Sequence, residues 1–344
     1  DLRREVYDKL QQLSFRFFDA NTTGGLLNVV MKRATNPGYQ GSANAGVGSG
    51  NRWNTGFNLN LKEGASAWSA SYNFSDFYNP LTNSTLRQNL AGGKTSETFF
   101  QSSQSMLGRR FQMGRLAWDY TLNQRTTLTT SFSLGDGRFR NTDDQPYSWT
   151  KPGPNGVVDT TILGRQTNRQ QNFWRYGSLQ LLLRKTTALP GEEWSVDLNL
   201  NASANGTEAD LDNLSNNLLT DSSSRRLQEN RGSGQNRVFT AQYDHTRPAA
   251  SGKWEWGLRS NLRSNVSNLT VNLGLNGNVP SFDKALSNEF EITDIVNAAY
   301  INRQLVWGSW GLQAGLRVEQ TRFDVNLPLL GDSSFRYRYP NGGR

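Results

Sequence analysis

Catalysis and metal binding need particular side chains at workable spacings, and this 344-residue chain supplies few. It has no cysteine and one histidine, His245. Disulfides, thiolate metal sites and any histidine-based metal cluster or catalytic triad within the chain are thereby excluded. Asp143-Asp144 and Asp210-Leu211-Asp212 lack the spaced oxygen ligands that calcium requires and read as solvated loop charges. Gly46-Val47-Gly48-Ser49-Gly50 looks like a phosphate loop, but that function needs a helix N-terminus behind it. A strand pattern follows, so a tight strand connection is expected. Nothing points to catalysis or to a cofactor, and a non-enzymatic protein is expected.

The remaining chemistry is electrostatic. The formal charge is +8, with many more Arg than Lys. Arg259, Arg263 and Arg317 share a strand face with Glu255 and Glu319. They could form an electropositive route for an anionic ligand such as a ferric chelate. Salt bridging to neighbouring elements is the preferred reading, because a guanidinium fits a carboxylate so well. Arg109-Arg110 and Arg225-Arg226 could contact lipopolysaccharide phosphates. Basic residues are scattered rather than gathered into one patch, so no nucleic-acid partner is expected.

The elements that position these groups are strands. From Asn51 to Phe74, Trp53, Thr55, Phe57, Leu59 and Leu61 alternate with polar residues. After Glu63-Gly64, Trp68, Ala70, Tyr72 and Phe74 do the same. Period two places the two sets on opposite faces of a hairpin. The apolar share is only 35%, yet aromatics are plentiful. Disorder explains the first observation but not the second. A barrel in lipid explains both, since half of each strand faces a polar lumen. No apolar run approaches the ~20 residues of a membrane helix, and Asn-x-Ser/Thr matches such as Asn73, Asn265 and Asn268 are chance in an Asn-rich chain.

About eleven strands are expected beyond Tyr39, near 39–47, 53–61, 68–74, 116–122, 128–134, 172–184, 194–200, 239–243, 254–262, 290–306 and 310–318. The sixth is the least regular, because Leu181-Leu182-Leu183 breaks the alternation. Tight turns fall at Glu63-Gly64, Asn123-Gln124, Pro190-Gly191, 250–253 and Gly308-Ser309. Long polar connections are expected near 79–108, 137–167, 206–234 and 274–288, with a final outer loop over 326–344. Short turns on one side and long connections on the other are the outer-membrane pattern, short ends periplasmic. Trp68, Trp194, Trp254 and Trp310 each follow a short turn at the first outward positions, so a periplasmic aromatic girdle is expected. The fold class is therefore all-β, an antiparallel transmembrane β-barrel in the cell outer membrane.

Residues 1–36 read differently. Phe18-Asp19-Ala20-Asn21-Thr22-Thr23-Gly24-Gly25-Leu26-Leu27-Asn28-Val29-Val30-Met31-Lys32-Arg33 resembles the end of the plug domain in TonB-dependent outer-membrane receptors. Thr22 stands where that family usually has Gly. Asn36-Pro37-Gly38-Tyr39, Gly41 to Gly48 and Trp310 to Glu319 are similar to barrel strands of the Bacteroidetes-type members. The resemblance implies the end of a plug over 1–36, with Gly24, Gly25 and Asn28 in structural roles. It implies the first half of the barrel over 37–344, about eleven strands of a probable twenty-two. It further implies import of a scarce nutrient, a ferric chelate, oligosaccharide or peptide, driven by TonB through the plug. Outer-membrane lipid and lipopolysaccharide are the other expected partners. A passive porin or a structural barrel is the alternative.

Overall fold

The computed structural model describes residues 37–153, 158–330 and 333–340. Gly24, Gly25 and Asn28 lie outside these residues. The described chain forms one antiparallel sheet of thirteen strands. They are β1 (Gly38–Gly48), β2 (Arg52–Glu63), β3 (Ser66–Ala91), β4 (Lys94–Asn123), β5 (Thr126–Pro152), β6 (Val158–Thr186), β7 (Glu193–Asn217), β8 (Ser222–Ala249), β9 (Gly252–Leu275), β10 (Ser281–Phe282), β11 (Asn288–Trp307), β12 (Trp310–Leu327) and β13 (Ser333–Tyr339). Each pairs with its neighbours in sequence, except that the short β10 sits on β9 and β11 pairs with β9 directly. Among the described residues no helix is long and apolar enough to cross a membrane, which says nothing about crossing by strands.

Register explains why alternation in sequence becomes two continuous faces. Directly paired residues on antiparallel strands point the same way. One row runs Gly41, Leu59, Ala70, Leu116, Phe132, Leu179, Leu200, Phe239, Leu262 and Ile295 across β1 to β11. The troublesome Leu181-Leu182-Leu183 is resolved by the same pairing. Leu181 and Leu183 face Leu198 and Val196 in the apolar set, whereas Leu182 sits beside Asp197 on the polar face.

The apolar face has no protein against it. Leu59, Leu116, Phe132, Leu200 and Phe239 are all 41–48% exposed. Ala209, Val271, Ala298 and Val325 are the only buried hydrophobic residues among those described, so the sheet encloses no hydrophobic core. A soluble protein rarely leaves so continuous an apolar band in water, whereas a lipid-facing wall is built this way.

All eleven expected strands are present, with two additions and one substantial correction. β10 and β13 are new, and β13 occupies part of the segment expected to be an outer loop. The long polar connections are mostly strand. β3 and β4 stay paired up to a Gly92-Gly93 tip, and β7 and β8 up to a turn at 218–221. Above the apolar belt both faces are polar, so the period-two signal disappears while the hydrogen-bonded ladder continues. The Asp pairs are corrected for the same reason. Asp210 and Asp212 are strand residues paired with Arg231 and Arg225, and Asp143 is buried.

The short-turn end carries its own polar clasp. In the turn between β6 and β7, Glu192 accepts a 2.5 Å hydrogen bond from Thr187 Oγ1, and its Oε1 lies 3.4 Å from His245 Nε2 and 3.7 Å from Arg247 Nε. The Thr187 hydroxyl foremost, then His245 and Arg247, hold the Glu192 carboxyl below the usual glutamate range. A depressed folded-state value stabilises the turn at neutral pH, and that stabilisation is lost as pH falls below the unfolded value. The amides of Thr187 and Glu192, which close this turn, should exchange faster at pH 3–4 than at pH 7 after correction for intrinsic rates. Unchanged protection would show that the clasp does not hold the turn.

Candidate functional site

The four expected girdle tryptophans sit at the short-turn ends of β3, β7, β9 and β12, on the apolar side of their pairs. Trp68 pairs with Trp118 and stacks on it at 5.4 Å, while the Trp118 indole N–H donates to Ser66 Oγ at 2.7 Å. Trp194 lies beneath Lys185, at 5.9 Å, and Trp254 beneath Arg303, at 4.9 Å. Trp310 pairs with Trp307. Indoles flanked by cations and hydroxyls suit a boundary between lipid and water. His245 belongs to this end too: it stacks on Trp256 at 4.2 Å, and its Nδ1 is 3.0 Å from the Tyr243 hydroxyl.

The polar face of β8 to β12 holds the expected ligand-route arginines. Arg263 Nε donates to Asp294 Oδ1 at 2.7 Å, and Arg317 donates through two nitrogens to Glu319 Oε2 at 3.0 and 2.9 Å. Glu255 is engaged by Lys253. Among the described residues Arg259 makes no ion pair, although it shares a row with Glu319 across Ala298. Tyr300 packs over Gly257 and donates to Asp244. Two of the three arginines are thus matched by carboxylates, which is the salt-bridging arrangement rather than a free basic track.

A different part of the polar face has the better shape for binding. Toward the hairpin tips, β3 to β6 enclose a hollow of ≈ 600 Å³. Asn83, Gln101, Ser103, Asn141, Asp143 and Gln170 are among its lining, and no lysine or arginine is. Asp143, 9% exposed, accepts from Ser103 Oγ at 2.9 Å and Asn141 Nδ2 at 3.0 Å, and also from Ser105 Oγ. Gln101 Nε2 donates to Gln145 Oε1 at 2.9 Å. Paired with Asp143 on the next strand, Asn168 has a buried Oδ1 with no hydrogen-bond partner. Buried polar atoms are usually satisfied, so such an atom marks a place where water or ligand completes the network.

Aromatic rings lie on both sides of the hollow. Toward the tips, Phe99 contacts Tyr147 at 5.9 Å and Trp149 at 4.9 Å, and Arg87 covers both Phe99 and Trp149. Tyr147 lies over Gly164, its partner on β6, and donates to Asn213 Oδ1 at 2.9 Å. Toward the belt, Phe111 stacks with Trp174 at 6.1 Å and Trp174 with Tyr176 at 5.9 Å. Sequence reasoning missed this site. Its members come from four strands and are spread over residues 81–172, and only the register brings them together.

Residues 184–341 match the outer membrane protein beta-barrel family. No curated protein matches the chain. The matched segment runs from the end of β6 to the end of β13. With the exposed apolar belt and the thirteen-stranded antiparallel sheet, it identifies an outer-membrane β-barrel protein located in the cell outer membrane. The apolar face is therefore lipid-facing, the polar face lumenal, and the short-turn end periplasmic.

Proposed function

We propose that the protein is the barrel part of a TonB-dependent transporter that captures a neutral, hydroxyl-rich nutrient, an oligosaccharide above all, at the extracellular end of its lumen. The observation that carries this reading is the hollow between β3 and β6. It offers amides, hydroxyls and one buried carboxylate, with aromatic faces at either end and no lysine or arginine in its lining. Arg87 stands over the aromatic pair at the tip end. Sugars present hydroxyls to such polar groups and their C–H faces to aromatic rings. An anionic ferric chelate would meet Asp143 and no compensating arginine there. The energy-coupled part of the reading is supported by the plug-like sequence over residues 18–33, and the TonB partner follows from that resemblance.

Uptake by cells carrying the full-length protein tests both parts. Labelled oligosaccharides, peptides and ferric chelates would be offered with and without a proton-gradient uncoupler. The expected result is uptake of one oligosaccharide class that falls at least about tenfold with uncoupler. Size-limited leakage of every compound, insensitive to uncoupler, would instead identify a passive porin.

A further inference from the structure

The lipid-facing side of the sheet changes character abruptly above the apolar belt. On β3, β4, β5, β6 and β8, the first charged outward residue above the apolar stretch is Asp76, Arg110, Asp136, Arg175 and Arg237 respectively. Arg138 and Arg140 follow on the same face of β5. Counted from the periplasmic strand ends at Ser66, Asn123, Thr126, Thr186 and Ala249, these seven residues all lie about 10–14 positions along their strands. Twelve residues of strand tilted by 35–45° rise roughly 30 Å, just beyond the ~25 Å apolar band of an outer-membrane barrel. The residues therefore form an arc at the outer-leaflet headgroup level.

The arc carries more positive charge than its own carboxylates neutralise. Arg110 donates two bonds to Asp76, at 3.0 and 2.7 Å. Arg138 and Arg175 share Asp136 at 3.7 and 3.5 Å. Arg140 makes no ion pair among the described residues, and Arg237 has only a 3.5 Å contact with Gln235. Register brings the members together: Asp76, Arg110 and Arg138 occupy one row, and Asp136 and Arg175 the adjacent one. Arg110, Arg138 and Arg140 line a hollow with Tyr78, whose ring lies over Gly108.

We infer that this arc is a binding site for the phosphorylated glucosamine head of lipid A, the lipopolysaccharide anchor of the outer leaflet. Planar guanidinium groups bind phosphate through paired N–H donors, and the belt below supplies the wall for acyl chains. On β7, Glu208 stands in the row of Arg140 across Gln171. Five arginines thus face three carboxylates, and the remaining positive charge leaves room for two phosphates. This inference rests on the barrel's orientation in the membrane and not on the transport reading.

Binding would be measured by native mass spectrometry on the full-length protein, delipidated in non-ionic detergent. The probe is bisphosphorylated lipid A. The comparisons are its dephosphorylated form, phosphatidylglycerol, and competition by inorganic phosphate. The decisive variant combines Arg138→Gln, Arg140→Gln and Arg237→Gln, which leaves the Arg110–Asp76 and Arg175–Asp136 pairs in place. Arg140→Glu alone reverses one uncompensated charge, and it serves if the triple variant does not fold. The expected result is retention of bisphosphorylated lipid A by the unaltered protein, with affinity at least about tenfold lower in either variant. Dephosphorylated lipid and phosphatidylglycerol should bind at least about tenfold more weakly than the probe. Equal binding by unaltered and variant proteins, or of the three lipids, would overturn the site. Displacement by equimolar inorganic phosphate would also overturn it, as a free-anion site.

Discussion

Gly252→Ala is expected to block or severely impair assembly of the barrel, while Gly308→Ala, at another periplasmic turn, is expected to be mild. Gly252 opens β9 with φ at +115°, a backbone conformation that residues with a Cβ rarely adopt. An added methyl group would lie directly on the Gln304 carbonyl oxygen of β11, with the carbonyl carbon at 2.8 Å and Leu305 Cα at 3.2 Å. These are backbone atoms of a paired strand, so relief requires the β9–β11 ladder to open. Backbone strain of roughly 1–3 kcal/mol and overpacking of a similar size place the loss near ~2–6 kcal/mol. Gly308 also has positive φ, +55°, but nothing stands within 4 Å of the added carbon. Only the left-handed cost remains there, about 1–2 kcal/mol. Urea titration of the full-length protein in detergent micelles, read by the heat-modifiable electrophoretic band, separates the two. Equal stabilities would show that the Gln304 contact relaxes without cost.

What the sequence reveals depends on whether the two faces of a strand differ. From Trp194 to Leu200 they do, and β7 could be placed from alternation alone. Beyond Gly206 the same strand continues through Thr207, Glu208, Asp210 and Asp212, which bear polar groups on both faces. Alternation carries no information there, so ladder was mistaken for loop. Asp143 shows the second limit. As one of two adjacent aspartates it looks solvated, and its partners Ser103 and Ser105 are 40 and 38 residues away. Only the β4–β5 register makes it buried. The arginine arc was half legible. Asp76, Arg110, Asp136, Arg175 and Arg237 are each the first charge after an apolar alternation, with Arg138 and Arg140 following on β5. Alignment at one height, however, needs turn positions and pairing together. Arg263 and Arg317 were legible as ion-pair formers, since the polar face offers carboxylates within reach: Asp294 on the strand beside Arg263, and Glu319 two residues along Arg317's own strand.

Asp143→Asn and Trp149→Ala are expected to lower uptake of the transported compound by about tenfold to a hundredfold each, leaving assembly intact. The carboxylate is the centre of the hollow's hydrogen bonds. It orients Ser103, Ser105 and Asn141, and faces the row that holds the unsatisfied Asn168 Oδ1. A charge-assisted hydrogen bond contributes roughly 1.5–3 kcal/mol, which is that range of affinity. Asparagine keeps the size but turns an amide N–H₂ toward groups that now donate, so the donor pattern is scrambled rather than emptied. Trp149 acts differently: with Phe99, tilted against it at 51°, it gives an apolar aromatic surface over which the Arg87 guanidinium packs. Its removal takes away a stacking face without altering the polar lining. Under the proposed transport function, the half-saturating concentration for uptake should therefore rise in both variants while the maximal rate changes little. An Arg259→Gln variant provides the contrast, because that arginine lies on β9, away from the hollow. Uptake lost in Arg259→Gln but retained in Asp143→Asn would move the binding site to the β9–β12 face and restore the anionic-ligand reading.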